Sequence, residues 1–286
     1  MIRYIAMDIR RLFKTRSFYI AMIIALILLT IYASAAYFFT GAGIPRAAAG
    51  QPALPITELL RQARKFLDFN HFASIMNTGT SMLHLILAAF AAAFISKDHH
   101  SGYLKNLYGI RDLRSKWLVS KLVVMMLAAV IFYLVYLIGA AIVTLLYDNA
   151  INTNIGALAA YYGLHLSVDL ALFGLIILTV TLLQTKTAAV VVALLLSFNL
   201  QAIIYLLIDQ FDLLPFDLVE YGMMGQASRL VIAGSGPVAG MMARRFQDMM
   251  ASMAATPATL LPVSLGIALI AIALSWLMLR RVDYRG

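Results

Sequence analysis

Residues 117–147, WLVSKLVVMMLAAVIFYLVYLIGAAIVTLLY, decide the fold class. After Lys121 this stretch holds no charged residue, and a bilayer core about 30 Å thick needs roughly 20 apolar residues to be crossed as a helix. Working outward, five further runs of the same kind occupy 17–39, 71–95, 157–183, 188–208 and 259–279. The whole chain of 286 residues is 63% hydrophobic and 12% charged, with a mean hydropathy of +0.88. A soluble domain is nearer half apolar and a quarter charged, so a soluble fold is excluded. The expectation is an all-α integral membrane protein: one transmembrane domain over 1–286 with six spans.

Charge placement sets the expected orientation, because Lys and Arg are retained on the cytoplasmic side. With the N-terminus inside, 15 of the 22 Lys and Arg fall in inner segments and 7 in outer ones. Both termini are therefore expected in the cytoplasm, with Trp117 and Trp276 near the inner interface. A cleavable leader ending at Ala33-Ser34-Ala35 is the rival reading of the N-terminus, and it is disfavoured because the apolar run continues to Phe39. There are no cysteines, which removes disulfides, thiolate metal sites and cysteine nucleophiles.

The segments between spans differ in character. In residues 1–16, MIRYIAMDIRRLFKTR, the positions Ile2, Ile5, Ile9, Leu12 and Phe13 recur at helical spacing among Arg3, Arg10, Arg11 and Lys14. This predicts an amphipathic entry helix on the inner membrane face. The stretch 209–258 carries acids, then Gly234, Gly236 and Pro237, and seven of the 15 methionines, and is expected to be a helical outer insertion between spans five and six. Spans four and five are joined by only 184–187, so they form a tight hairpin.

Ionisable and amide side chains at mid-span are expensive and mark candidate functional positions. His84, Asp169 and Asn199 fall near the expected bilayer centre, with Gln201 close by, and His165 lies four residues before Asp169 on one helix face. These five are candidates for a substrate pathway, or for hydrogen bonds that simply hold the bundle together. An intramembrane metalloprotease is a competing class. It lacks support, because there is no His-Glu-x-x-His and the only glutamates, Glu58 and Glu220, lie outside the spans. No metal site is assigned. Nor is there a Gly-x-x-x-x-Gly-Lys-Ser/Thr loop, so these residues offer no such cradle for nucleotide phosphates.

The inner segment 96–116, within FISKDHHSGYLKNLYGIRDLRSKWLVSKL, mixes basic charge with the apolar side chains Tyr103, Leu104, Leu107, Ile110 and Leu113. Charge alone would fix topology, whereas the apolar residues suggest a docking surface. This segment, the entry helix ending RRLFKTRSFY, the six spans, the short 184–187 loop and the outer insertion together resemble the membrane subunit of ABC-2 type transporters. Asp98, Gly102, Lys105, Gly109, Arg114 and Lys121 fit that family's pattern of an acid, Gly, Lys, a turn, Arg and a Lys entering the next span. The family usually shows Glu where Asp98 stands.

The resemblance implies a permease in the bacterial plasma membrane that exports a hydrophobic or amphipathic substrate, such as an antimicrobial or other peptide, a drug or a lipid. It implies a separate cytoplasmic ATPase carrying ATP and Mg, with no cofactor on this chain. That motor would be coupled through Arg10, Arg11, Asp98, Gly102, Lys105, Gly109, Arg114 and Lys121. It also implies a second permease chain, identical or related, and no nucleic-acid partner. The alternative is a proton-coupled secondary transporter or intramembrane enzyme using His84, His165 and Asp169.

Overall fold

The computed structural model describes residues 2–41, 69–77, 81–100, 111–146, 151, 153–183, 185–197 and 257–281. These form eight helices, with no strand among the described residues. In chain order they are α1 (Ile2–Lys14), α2 (Arg16–Gly41), α3 (Phe69–Ile75), α4 (Met82–His100), α5 (Arg111–Leu146), α6 (Ile155–Leu183), α7 (Lys186–Ser197) and α8 (Pro257–Arg281). The expected outer insertion 209–258 lies outside the described residues except for its last two positions, which open α8.

Four stretches are long and apolar enough to cross a membrane: Arg16–Ser34, Ser115–Leu146, Ile155–Leu183 and Leu260–Leu279. Their outward faces are as oily as their inward ones. On α2 the side chains of Phe18, Ala21, Ala25, Leu29 and Ala33 face the bundle, while Ile20, Ile23, Ile24, Ile27 and Ile31 are exposed. α5 and α8 repeat the pattern, exposing Leu134, Ile138 and Ile142 on one and Leu265, Leu269 and Ile270 on the other. A helix apolar all round must sit in a core or in lipid, and these faces have no protein over them among the described residues. The molecule is accordingly read as an all-helical membrane protein.

The continuous span expected over 71–95 is not one helix. α3 ends at Ile75, a turn follows at Met76–Asn77, and α4 restarts at Met82. The interruption coincides with the sequence Asn77-Thr78-Gly79-Thr80-Ser81, residue types that favour caps and turns over helix interiors. Ser81, which precedes α4, has a positive φ of 50°. Bare carbonyls at a helix end are costly inside a bilayer, so they need donors. Three tyrosines supply them: Tyr136 Oη donates to Phe72 O at 2.6 Å, Tyr162 Oη to Ala73 O at 2.6 Å and Tyr161 Oη to Ser74 O at 3.3 Å. Leu83 N closes back on Met76 O at 3.3 Å. The opening of α6 shows the opposite device, with Asn154 Oδ1 accepting from Gly156 N at 2.9 Å as an N-cap.

α8 packs most extensively on α6, along a seam of small residues. Ser264, Ala268, Ala271 and Ser275 are buried on α8, and Ser167 Oγ and Ser264 Oγ meet at 2.9 Å. A Cβ added at Gly174 of α6 would lie 3.3 Å from Ala271 Cβ and 3.5 Å from Ala268 O. Small side chains let helices approach closely where lipid provides no hydrophobic drive for association. Gly174→Leu should therefore wedge α6 from α8 at a cost of about 1–3 kcal/mol. The readout is a lower melting temperature of the purified protein, with Gly163→Leu, at a position open to space, as the variant expected to stay near wild type.

Candidate functional site

Polar side chains converge at two places, one at the end of the bundle where α1 lies and one deep within it. At that end α1 runs across the base, with Leu12 buried and Ile5 and Ile9 packed against the core. Arg3, Arg10 and Lys14 stay exposed. Asp8 shares the inward face with Ile5, Ile9 and Leu12, so this carboxylate is carried under the helices rather than into solvent. Lys121 Nζ lies 2.8 Å from Asp8 Oδ1 and 2.7 Å from Asp98 Oδ2. Arg11 closes the ring, 2.6 Å from Asp98 Oδ1 and 3.4 Å from Asp8 Oδ1. Ser120 Oγ donates to Asp8 at 2.8 Å and Trp117 Nε1 to Asp98 at 3.0 Å. Two carboxylates thus meet two cations and two neutral donors, and α1, α4 and α5 are tied at one point.

Of the residues expected to couple to the ATPase, Asp98 and Lys121 are each 0% exposed; they pair with one another, Lys121 also with Asp8, and Asp98 also with Arg11 and Trp117. Arg10 is exposed, and Arg11 is partly exposed while bound to the lock. Arg114 falls in the first turns of α5, with its side chain outside the described part; Gly102, Lys105 and Gly109 lie outside the described residues. Asp8 was missed by the sequence reading. Its signal was an acid placed on the apolar stripe of an otherwise basic helix.

The second site is a hydrogen-bonded chain through α4, α5 and α6. Tyr133 Oη donates to Asp169 Oδ2 at 2.5 Å, His84 Nδ1 meets Asp169 Oδ1 at 2.8 Å, and His84 Nε2 meets His165 Nδ1 at 2.9 Å. His84, His165 and Asp169 are each 0% exposed. The spacing argument placed His165 and Asp169 on one face, and they do share it. They are joined through His84, which sits between them on a different helix. With the Asp169 carboxylate accepting on both oxygens and both imidazoles in their neutral form, His84 carries its proton on Nδ1, its Nε2 accepts from His165 Nδ1, and His165 Nε2 is left as a bare acceptor. That Nε2 is buried with no hydrogen-bond partner among the described residues. Tyr161 stacks edge-on against the same ring at 4.5 Å.

Tyr133 was also missed by the sequence reading, having been counted as part of an apolar run. Asn199 and Gln201 lie outside the described residues. Among the described residues no group of three or more His, Asp or Glu side chains could hold a metal ion. What the deep chain can do chemically is accept a hydrogen bond or a proton at His165 and relay it toward Asp169.

Both sites yield measurable consequences. Burial pushes the Asp98 carboxyl up, but the Lys121 ammonium with its hydrogen bond, then Trp117 and Arg11, outweigh it and hold the group below the usual carboxylate range. Its folded pKa lies below the unfolded value of about 3.9, so its stabilisation is complete above that value and is lost as pH falls through the folded pKa. Melting temperature should therefore drop below about pH 4, and Asp98→Asn should start lower and fall less steeply. In the deep site, Asp169→Leu strands the donors of Tyr133 and His84, at about 1–3 kcal/mol each. A large loss of thermal stability is expected, much of it recovered in Asp169→Asn, which keeps an acceptor. Compared with known proteins, the chain matches no family model, and no curated protein matches it in sequence.

Proposed function

We propose that this chain is the permease subunit of an ABC exporter of the ABC-2 type, moving a hydrophobic or amphipathic substrate outward on ATP hydrolysis by a partner subunit. The observation that carries the reading is the lock at the base and its position on shared helices. α4 bears Asp98 in the lock and His84 in the deep chain, and 14 residues of helix between them make a strut of about 21 Å. α5 bears Lys121 and Tyr133, 12 residues or about 18 Å apart. A push on α1 from below is delivered to two helices that each carry a residue of the buried polar layer, His84 on α4 and Tyr133 on α5. A chain without a phosphate-binding loop that relies on ATP must receive its work in this way.

In this reading the six spans place both termini in the cytoplasm of a bacterial plasma-membrane protein. The exposed face of α1 with Arg10, together with the 96–116 segment, seats the ATPase, which brings ATP and Mg. Asp98 and Lys121 act indirectly, by holding that face rigid. Two permease chains, identical or related, enclose the path. The helix break after α3 supports the assignment of a pathway near the deep chain, because interrupted helices at membrane depth occur where backbone is buried in protein or lines a cavity. The bare acceptor at His165 favours a second reading, in which a proton gradient drives transport through His84 and Asp169 and no motor is needed.

The two readings separate in reconstituted vesicles. The permease purified with its neighbouring ATPase should hydrolyse ATP, and Arg10→Glu should cut complex formation or ATPase rate by an order of magnitude or more while leaving the melting temperature of the permease alone unchanged. Substrate movement driven by an imposed pH gradient without ATP, and abolished by Asp169→Asn, would overturn the export reading.

A further inference from the structure

The corner between α1 and α2 leaves a basic recess next to the lock, which shares Arg11 with it. Thr15 separates the two helices; its N donates to Leu12 O at 3.0 Å, its Oγ1 to Arg11 O at 2.7 Å, and its carbonyl accepts from Phe18 N at 3.1 Å. Around this corner lies a cavity of about 510 Å³ whose walls include Arg10, Lys14, Arg16, Ser17 and Lys97. An adjoining cavity of about 310 Å³ shares Thr15, Ser17 and Lys97 and continues to Lys186 on one side and to Phe90, Ala93 and Phe94 on the other. Among the described residues no carboxylate lines either cavity. Arg10, Lys14, Arg16 and Lys97 make no ion pair among the described residues, whereas Arg11 is held by Asp8 and Asp98.

Uncompensated positive charge around a cavity calls for an anion. The first turn of α2, a helix of 26 residues, adds the positive end of its dipole at Arg16 and Ser17. Charge alone would suit any phosphate or carboxylate. The second cavity narrows the choice, because its far wall is aromatic and aliphatic and lies at the foot of α2, whose Ile20, Ile23 and Ile24 face outward as membrane-exposed side chains. An anion carrying an apolar tail fits both halves: the head among Lys97, Arg16 and Lys14, the first acyl carbons against Phe90 and Phe94. Each basic group close to an anionic membrane surface adds to the attraction of an anionic headgroup.

We propose that this double cavity binds the phosphate headgroup of one anionic phospholipid of the inner leaflet, seating the lipid in the corner between α1 and α2. The bound lipid would brace that corner beside the lock. The inference is independent of the export reading, since its test needs neither substrate nor ATPase.

The experiment is native mass spectrometry of the intact protein released from vesicles of phosphatidylglycerol and phosphatidylcholine mixed in equal parts, with dissociation constants from titration of each lipid into the delipidated protein. The wild type should retain one phosphatidylglycerol in preference to phosphatidylcholine. Arg16→Gln combined with Lys97→Gln should weaken that binding about tenfold or more, Phe90→Ala should weaken it less, and Arg3→Gln, on α1 but outside both cavities, should leave it unchanged. Glycerol phosphate and inorganic phosphate form the second arm. Either competing at concentrations comparable to the lipid would assign the cavity to a free phosphate and overturn the proposal. Equal retention of both lipids, or equal loss in Arg3→Gln and the double variant, would reduce the charges to nonspecific attraction and also overturn it. Circular dichroism of the double variant separates lost binding from lost fold.

Discussion

A charge removed from water needs a partner, and Lys121 illustrates how far that requirement shapes this molecule. Its ammonium is wholly enclosed, 2.8 Å from Asp8 and 2.7 Å from Asp98, with the Phe94 ring centroid 4.9 Å away. Such a group tolerates neither the loss of a carboxylate nor the departure of the helix that carries it. Breaking a buried pair by removing one partner typically costs about 3–5 kcal/mol, although an apolar replacement of the whole cluster is often no less stable. The cluster therefore contributes chiefly by fixing where α1 lies. α1 is short and basic, and without Asp8 it would keep only the Arg11–Asp98 pair and the packing of Tyr4, Ile5, Ile9 and Leu12 to hold it.

The deep site obeys the same rule with weaker means. Tyr133, Asp169, His84 and His165 satisfy one another in sequence, while Tyr136, Tyr161 and Tyr162 satisfy the carbonyls at the end of α3. Tyr161 serves both groups, with its hydroxyl on Ser74 and its ring on His165. A rearrangement of the helix break would consequently be felt at the histidines. Of the five buried side-chain polar atoms without partners among the described residues, both polar atoms of Asn77 and Ser81 Oγ lie at this break and His165 Nε2 lies at the deep chain, the fifth being Ser96 Oγ. Unsatisfied groups at membrane depth are costly.

Four membrane-crossing stretches were legible in the sequence because lipid demands apolar side chains on every face, a signal that accumulates over about 20 positions. The runs 117–147 and 157–183 correspond to helices Arg111–Leu146 and Ile155–Leu183. The break within the second run was not read, since five polar residues at Asn77–Ser81 are diluted by the apolar sequence on both sides. His165 and Asp169 were placed correctly on one face by periodicity, yet the residue that joins them comes from another helix, and no local spacing encodes that. The same limit explains Asp8 and Tyr133, whose partners are 113 and 36 residues away. Asp98 and Lys121 were singled out for their place in a pattern, but only tertiary structure turns them inward.

The central claim is mechanical: α1 and the ends of α4 and α5 that carry Asp98 and Lys121 move as one body because a buried cation holds two carboxylates between them. With no native cysteine to interfere, spin labels at Arg3→Cys on α1 and Lys116→Cys on α5 report it directly by pulsed dipolar spectroscopy in lipid nanodiscs. The account predicts a single narrow distance distribution that broadens when Lys121→Met is added to the labelled protein. A broad distribution with Lys121 in place, or a narrow one that survives its removal, would contradict it.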